Sequence, residues 1–194
     1  MRSPLPPLAT ARLHLRPTDA ALAPAVADYL QRNRAAHAPW NPPMPEALFT
    51  PAGQVERLTS AMLGEVAGTQ AGWFLTLATA PDAVIGHLRL SQIARGPFCS
   101  AMLGYAIDAA HEGRGLMREA LQAALAHAFG PLGLHRVQAN ARPENTRSLA
   151  LLARLGFVRE GLARDYLFID GAWRDHVLTA CLNPHWPADR LPPA

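Results

Sequence analysis

The sequence lacks most of the features that mark secreted, disulfide-stabilised and metal-binding proteins. It contains two cysteines, Cys99 and Cys181, which lie far apart and form no CxxC pair. Both lie in apolar, strand-like stretches, so we predict reduced thiols buried in the core of a cytoplasmic protein. The eight histidines are scattered, and none lies at ligand spacing from a cysteine. We therefore predict no metal site.

Long apolar runs and concentrations of charge are also missing. No uninterrupted apolar run approaches the roughly 20 residues of a membrane span, and residues 1–17 lack the apolar core of a secretory signal. Eighteen basic residues against fifteen acidic ones give a net charge of +3 with no basic run. Nucleic-acid binding usually needs a basic patch, so the charge pattern does not favour it. We expect no membrane partner and a cytoplasmic location.

What the chain does have is the composition of an ordinary globular domain. With 194 residues, 49% hydrophobic and 17% charged, it is long enough for one domain with a full core. We predict a single domain over residues 1–194, with its core at about 10–183. Alternating and helical patterns predict strands at 12–17, 72–79, 83–93, 100–108, 134–141 and 165–182, the last a hairpin turning at Asp170 and Gly171. They predict helices to about 36 and at 52–67, 116–129 and 144–157.

One short stretch departs from the surrounding helical composition. In "HEGRGLMREALQAAL" (111–125), Gly113 and Gly115 flank Arg114 where a helix begins. Such a helix start presents unpaired N–H groups and partial positive charge, which suit phosphate oxygens. A P-loop is excluded because Leu116 and Met117 follow the second glycine, and the dinucleotide fingerprint lacks its third glycine. The glycines alone leave a tight turn without a ligand as the alternative.

Several segments together resemble the Gcn5-related N-acetyltransferases (GNAT). "EGRGLM" after the strand "LGYAID" is similar to their pyrophosphate loop, although Glu112 and Met117 depart from the usual pattern at its two ends. The segments "APWNP", "LHRVQAN", "NTRSLALLARLGFVREG" and "DYLFIDGAWRDHVLTA" are similar to the RimJ/RimL branch, which acetylates the N-termini of ribosomal proteins. The resemblance extends from about residue 38 to 186.

This resemblance implies an α/β fold with a mixed central sheet of six to seven strands and about four flanking helices. It also implies that acetyl-CoA lies where two parallel strands, here 100–108 and 134–141, splay apart. Unpaired main-chain groups of a splayed strand can bond the pantetheine arm like another strand. The implied cofactor-binding residues are Leu103, Tyr105, Ala106, Ile107, Glu112, Gly113, Arg114, Gly115, Leu116, Met117, Asn140 and Asn145.

Acetyl transfer to an amine needs an oxyanion site and a proton for the departing thiolate. Main-chain N–H groups at 105–107 are candidate oxyanion donors. Asn145 and Ser148 are three residues apart and share a helix face. By resemblance, Ser148 is the proton donor or the partner of the thiol, and Asn145 a cofactor contact. The alternative for Asn145 is a structural helix cap.

The general base and the acceptor site are less determined. The sequence offers Glu112, Asp165, Asp175 and His176 as bases and does not choose among them. Trp40 and Tyr166 are candidate walls of the acceptor site. The alternative for these two side chains, and for Tyr105 on the cofactor strand, is that they only fill core or interface space.

Three functions follow, in order of preference. The first is acetylation of a protein N-terminal α-amine, by resemblance alanine of a ribosomal protein. The second is acetylation of a small amine such as an antibiotic, polyamine or amino acid, since one fold serves many acceptors. The third is a non-enzymatic acyl-CoA-binding or RNA-associated module, motivated by Glu112, Met117 and the basic charge balance. A monomer or a homodimer fits each of them.

Overall fold

The computed structural model describes residues 3–187, which form eight strands and five α-helices. The strands are β1 (Leu8–Ala9), β2 (Leu13–Pro17), β3 (Ala71–Leu77), β4 (Ala80–Ala94), β5 (Ser100–Ile107), β6 (Arg136–Ala141), β7 (Val158–Ile169) and β8 (Ala172–Leu182). The helices are α1 (Ala23–Arg32), α2 (Arg34–His37), α3 (Pro51–Val66), α4 (Leu116–Phe129) and α5 (Thr146–Arg154). No helix among these residues is long and apolar enough to cross a membrane.

All eight strands belong to one sheet in the order β1-β2-β3-β4-β5-β6-β8-β7. Neighbouring strands are antiparallel except β5 and β6, which are parallel. A parallel pair needs a crossover connection, and α4 lies in it. The predicted mixed α/β sheet is confirmed. It has one more strand than the largest number predicted, because the two-residue strand β1 pairs with β2.

Helices cover both faces of the sheet. On one face, side chains of α4 and α5 such as Leu121 and Leu152 join Leu88 and Leu103 of the sheet in the larger hydrophobic cluster. On the other face, α1 and α3 bury Tyr29 and Leu58 with sheet residues Phe74 and Val84. Successive strand residues point to opposite faces, so the two clusters follow from the alternation along each strand. We call these the α4/α5 face and the α1/α3 face.

Three predicted boundaries are wrong. The first helix ends at Arg32 rather than about Ala36, because the carboxamide of Asn33 donates to the Tyr29 carbonyl (2.9 Å) and accepts from the Ala109 N–H (3.0 Å). The hairpin before residue 83 turns ahead of "APD", since Leu77 already pairs with Ala80. The last hairpin begins at Val158 rather than 165.

The predicted turn of the last hairpin, at Asp170 and Gly171, is confirmed, and the two residues adopt φ of 52° and 72°.

Candidate active site

The two parallel strands of the sheet diverge after three residue pairs. Ser100–Met102 of β5 pair with Arg136–Gln138 of β6, and the pairing stops there. Beyond that point β5 stays with β4 as far as Ile107, while β6 stays with β8 as far as Ala141. A gap therefore opens between 103–107 and 139–141, as predicted.

Main-chain groups of β5 line this gap at alternate residues. The Asp108 N–H points to β4, where it donates to the Ile85 carbonyl (2.8 Å). The Ile107 carbonyl points the other way and accepts from Nε2 of His37 (3.0 Å), which must carry the hydrogen because a carbonyl only accepts. By the alternation of a strand, Leu103 and Tyr105 also turn their main chain away from β4. Ala106 turns its main chain towards β4, so it is left with side-chain contacts to any ligand in the gap.

The glycine segment connects the open end of β5 to α4. A short 3-10 turn (Ala109–His111) follows the strand, and Gly113 and Gly115 then adopt left-handed φ of 72° and 75°. A Cβ at Gly113 would meet nothing within 4 Å, and one at Gly115 only an Arg12 nitrogen at 3.6 Å. Glycine is therefore required for its backbone conformation rather than by crowding. Gly115 caps α4 without a side-chain acceptor, which leaves the N–H groups of the first turn available to an anion.

The side chains of this segment divide between the core and the surface. Leu116 and Met117 are buried in the larger hydrophobic cluster, so only their main chain can reach a ligand. Arg114 and Arg118 are exposed next to the helix start. The carboxylate of Glu112 forms an ion pair with Arg147 in the first turn of α5. Arg147 therefore neutralises the charge of Glu112, one of the two residues that depart from the family pattern.

Arg12 supports the same segment, although no sequence pattern points to it. Its Nη1 donates to the Arg114 carbonyl (2.9 Å), and its Nε donates to Oε2 of Glu119 in α4 (2.7 Å). Glu119 also accepts from the Thr10 hydroxyl (2.5 Å), and these bonds hold its pKa below the usual value although its partial burial raises it. The N-terminal strands thus fix the start of α4. No local sequence pattern links residues more than 100 positions apart.

Ser148 and Tyr105 meet at the gap on the α4/α5 face. Their hydroxyl oxygens are 2.8 Å apart, and both residues are half-buried. Burial raises the pKa of Tyr105 to about 12, and the hydrogen bond with Ser148 opposes that rise. The Tyr105 hydroxyl therefore keeps its proton throughout the neutral range. The sequence placed Tyr105 on the cofactor strand but did not pair it with Ser148.

Asn145 caps α5, as its alternative interpretation predicted. Its side-chain oxygen accepts from the Ser148 N–H at 3.1 Å. This bond uses the oxygen and leaves the carboxamide nitrogen without a partner among the described residues. The cap places Ser148 in the first turn of the helix, and it is compatible with a ligand contact at that nitrogen.

On the α1/α3 face, the β6 side of the gap carries Asn140 and Tyr166. The Asn140 carboxamide donates to the Tyr166 hydroxyl (3.0 Å) and accepts from the Thr179 N–H (3.4 Å). The Tyr166 ring lies 5.1 Å from the ring of His176. The structure thus brings together a predicted cofactor residue, a predicted acceptor residue and one predicted base.

Trp40 lies near the end of β6 and is held by Arg142. The guanidinium of Arg142 lies 5.6 Å from the centre of the Trp40 ring, and its Nη1 donates to the Pro39 carbonyl (2.6 Å). Trp40 is 40% exposed. The proline-rich segment around Trp40 is therefore fixed over the open end of the gap, and Arg142 is a second supporting residue that the sequence did not reveal.

The four candidate bases occupy different places. Glu112 is paired in the glycine segment, as described above. On the β7–β8 hairpin, a carboxylate oxygen of Asp175 accepts from the Asp165 N–H (3.0 Å). His176 is 3% exposed, and its Nδ1 lies 3.1 Å from the Arg174 carbonyl, so Nδ1 carries a hydrogen.

A cavity of about 600 Å³ lies on the α1/α3 face, between α3 and strands β3–β5. Its wall includes Gly104 and Tyr105, so it reaches the strand that borders the gap. Gly104 points to this face, and Tyr105 sends its side chain to the opposite face to meet Ser148. The gap thus separates a hydroxyl pair on one face from a cavity on the other.

Comparison with known proteins identifies the family of this chain. The family model described as the acetyltransferase (GNAT) domain matches residues 12–158. The chain belongs to the GNAT acetyltransferase family. It is 43% identical over 167 residues to the [ribosomal protein uS5]-alanine N-acetyltransferase of Escherichia coli K12, covering 85% of this chain and 84% of that protein.

Solved structures agree with the fold at high similarity. The ribosomal-protein-S5-alanine acetyltransferase of Vibrio fischeri superimposes with a TM-score of 0.90 at 34% identity, covering 94% of this chain and all of that one. RimJ of Mycobacterium smegmatis, solved in complex with CoA-disulfide, gives 0.83 at 31% identity and covers 90% and 84% of the two chains.

The protein described here is thus an N-acetyltransferase that uses acetyl-CoA as its co-substrate. Its residues fit that molecule: the gap offers unpaired main-chain groups, and the glycine segment offers helix N–H groups beside Arg114 and Arg118.

Proposed function

We propose that this enzyme acetylates the N-terminal α-amine of a protein, with the alanine of ribosomal protein uS5 as the first candidate. Its similarity to uS5-alanine acetyltransferases over nearly the whole of both chains supports this acceptor. The observation that supports the chemistry is the 2.8 Å hydrogen bond between Ser148 and Tyr105 at the gap. A location in the cytoplasm, where ribosomal proteins are made, is part of the same proposal.

Residues of this chain hold the co-substrate along the gap. The main chain of Leu103 and Tyr105 bonds the pantetheine arm, and 112–117 bind the pyrophosphate through helix N–H groups. Asn145 adds a contact through its free carboxamide nitrogen. The thioester then lies between the hydroxyl pair on the α4/α5 face and the cavity on the α1/α3 face.

Ser148 donates a hydrogen bond to the sulphur as the thiolate leaves. Tyr105 donates to the Ser148 oxygen, which keeps the serine hydrogen directed at the sulphur. Main-chain N–H groups at Tyr105 and Ile107 stabilise the negative charge that develops on the carbonyl oxygen. In this scheme Ser148 is a catalytic residue and Tyr105 is a positioning residue.

An α-amine makes a modest demand on the base. Its pKa is about 8, so roughly a tenth of it is neutral at pH 7, whereas a lysine amine at about 10.4 is almost fully charged. Asp165, Asp175 and His176 lie on the β7–β8 hairpin next to Tyr166, on the side from which the amine arrives. Trp40 and Tyr166 line that entrance.

The test is thiol release from acetyl-CoA with peptides that begin with alanine, serine or methionine, alongside polyamines, amino acids and aminoglycosides. We expect turnover on the alanine peptides, with mass spectrometry placing one acetyl group on the α-amine. An alanine peptide with a blocked N-terminus is the control and should give none. Turnover confined to small amines would overturn the proposed acceptor.

A further inference from the structure

One row of cross-strand neighbours lines the cavity on the α1/α3 face. Arg89 of β4 pairs with Gly72 of β3 on one side and with Gly104 of β5 on the other. Paired residues point to the same face, so Arg89 is the only side chain in the row. A Cβ at Gly104 would meet nothing within 4 Å. On the Gly104 side Arg89 therefore has open space next to the strand that borders the gap, whereas on the other side a Cβ at Gly72 would meet Glu65 Oε1 and Thr18 Oγ1, each at 3.4 Å.

A second guanidinium enters the cavity from α3. Arg57 is half-buried, and its Nε donates to the Gln54 side chain at 2.9 Å. Among the described residues neither Arg57 nor Arg89 forms a salt bridge, and the one carboxylate in the cavity wall, Glu56, is exposed and unpaired. Arg57 is half-buried and Arg89 is exposed, so the cavity holds two guanidiniums that have no carboxylate partner among the described residues and are accessible to a ligand.

Neighbouring groups respond to this positive charge. Burial lowers the pKa of Arg57, and the nearby charge of Arg89 lowers it further. Burial also lowers the pKa of His87 in the cavity wall to about 3, with Arg57, His37 and Arg89 adding to the effect. His87 is therefore neutral at pH 7, and the charged residues of the cavity wall are the two arginines and the exposed Glu56. The arginines outnumber the carboxylate, so the wall is positively charged.

We propose that Arg57 and Arg89 bind an acidic side chain of the acceptor protein, a short distance after its acetylated N-terminus. The proposal rests on the proposed function and names the sequence feature that this site recognises. A carboxylate matches the fork of a guanidinium and would supply the missing counter-ion. Open space over Gly104 gives the acceptor backbone a path from the gap to the arginines.

Distances along an extended chain limit where the acidic residue lies. Arg89 is directly across from Gly104, and neighbouring strands are about 4.8 Å apart. An arginine side chain adds several ångströms, and an extended peptide advances about 3.3 Å per residue. The acidic residue therefore falls at about the second to fourth position of the acceptor. The lining residue Asn41 lies next to Trp40, which places the cavity and the entrance along one path.

The test uses neutral alanine-starting octapeptides with a single glutamate at position two, three or four, each matched by glutamine at the same position. For one of the three positions we expect the glutamate peptide to have a KM about tenfold lower, because a charge-assisted hydrogen bond is lost in the glutamine peptide. In Arg89→Gln this preference should vanish. The control Arg159→Gln, on exposed strand β7, should keep it.

The outcomes separate this inference from the proposed function. Acetylation of glutamate and glutamine peptides with equal KM at all three positions would overturn the acidic subsite and leave the function standing. A preference that survives in Arg89→Gln would overturn it as well. No turnover on any peptide, with turnover on small carboxylate-bearing amines, would overturn both. Thermal melting of each variant checks that a lost preference does not reflect unfolding.

Discussion

The two faces of the gap are built in different ways. On the α4/α5 face, the glycine segment, Asn145 and Ser148 lie within about 35 residues of one another in the sequence, and each belongs to a helix start. On the α1/α3 face, Arg57, Arg89 and Gly104 come from a helix and two strands, and only the sheet register brings them together. In our proposal the first face binds acetyl-CoA, which the whole family uses, and the second meets the acceptor protein. The residues of the cofactor side can therefore be found from local sequence motifs, whereas those of the acceptor side are brought together only by tertiary packing.

The largest effect is expected from removing the Ser148 hydroxyl. Ser148→Ala should lower kcat about a hundredfold, since a positioned proton donor contributes at least that much. The dissociation constant for coenzyme A should change less than twofold, because the glycine segment is untouched. The control is Thr146→Ala, which lies two residues earlier in α5 and is exposed, and this variant should retain full activity. Unchanged kcat in Ser148→Ala would remove Ser148 from the mechanism.

The next effect concerns the α1/α3 face, where His87 should make the free energy of unfolding depend on pH. The folded protein keeps His87 neutral down to about pH 3, whereas an unfolded histidine binds a proton below about pH 6.5. Between these values the unfolded state holds more protons, so the free energy of unfolding falls as the pH falls. Urea unfolding at pH 7 and pH 4.5 should show the wild type losing about 2 kcal/mol more than His87→Phe.

The exposed His14→Phe supplies the matched control, because it makes the same replacement at a histidine outside the core. Equal losses in His87→Phe and the wild type would show that His87 does not titrate as its burial requires.

A smaller effect is expected on the cofactor side from the backbone of the glycine segment. Alanine at φ of 75° is strained by about 1–2 kcal/mol, so Gly115→Ala should shift the helix N–H groups and weaken coenzyme A binding about tenfold. Calorimetric titration measures the change. Gly96→Ala has a similar φ of 63° in a loop away from the gap and should lose stability without losing affinity. Equal affinity in the two variants would contradict a pyrophosphate site here.

The smallest effect is expected at Tyr105. Tyr105→Phe removes one hydrogen bond to Ser148, worth about 1 kcal/mol, so kcat should fall about fivefold. In a Ser148→Ala background the same change should have almost no effect, because Tyr105 acts through the serine. The pH profile adds a second readout: with a pKa of about 12, Tyr105 should cause no alkaline loss of activity below pH 10. A fivefold loss that persists without the serine hydroxyl would give Tyr105 a direct role.

Much of the fold was predictable from the sequence because its strands and helices follow local periodicity. The diverging parallel pair entered through family resemblance, and the structure confirms it. The order of the eight strands comes from the structure alone. The glycine requirement was also local, since left-handed φ is a property of single residues. Ser148 and Asn145 were assigned by the family resemblance, with a three-residue spacing that puts them on one helix face, and the structure adds the cap that connects them.

What the sequence could not predict depends on contacts between distant segments. Arg12 reaches Arg114 and Glu119, and Arg142 reaches Pro39 and Trp40, across separations of about a hundred residues. Arg89 is unremarkable as an arginine on an alternating strand until glycines on both neighbouring strands leave it alone in a cavity. Such features come from register, which no single segment encodes.

The most direct test of the two-sided account is a double-mutant cycle on kcat/KM with an alanine-starting peptide that carries the preferred glutamate. Ser148→Ala and Arg89→Gln lie on opposite faces and share no partner, so their losses should multiply in the double variant to within about twofold. If the double variant were no slower than Ser148→Ala alone, the two residues would act at one place, and the division of the gap into a cofactor face and an acceptor face would be wrong.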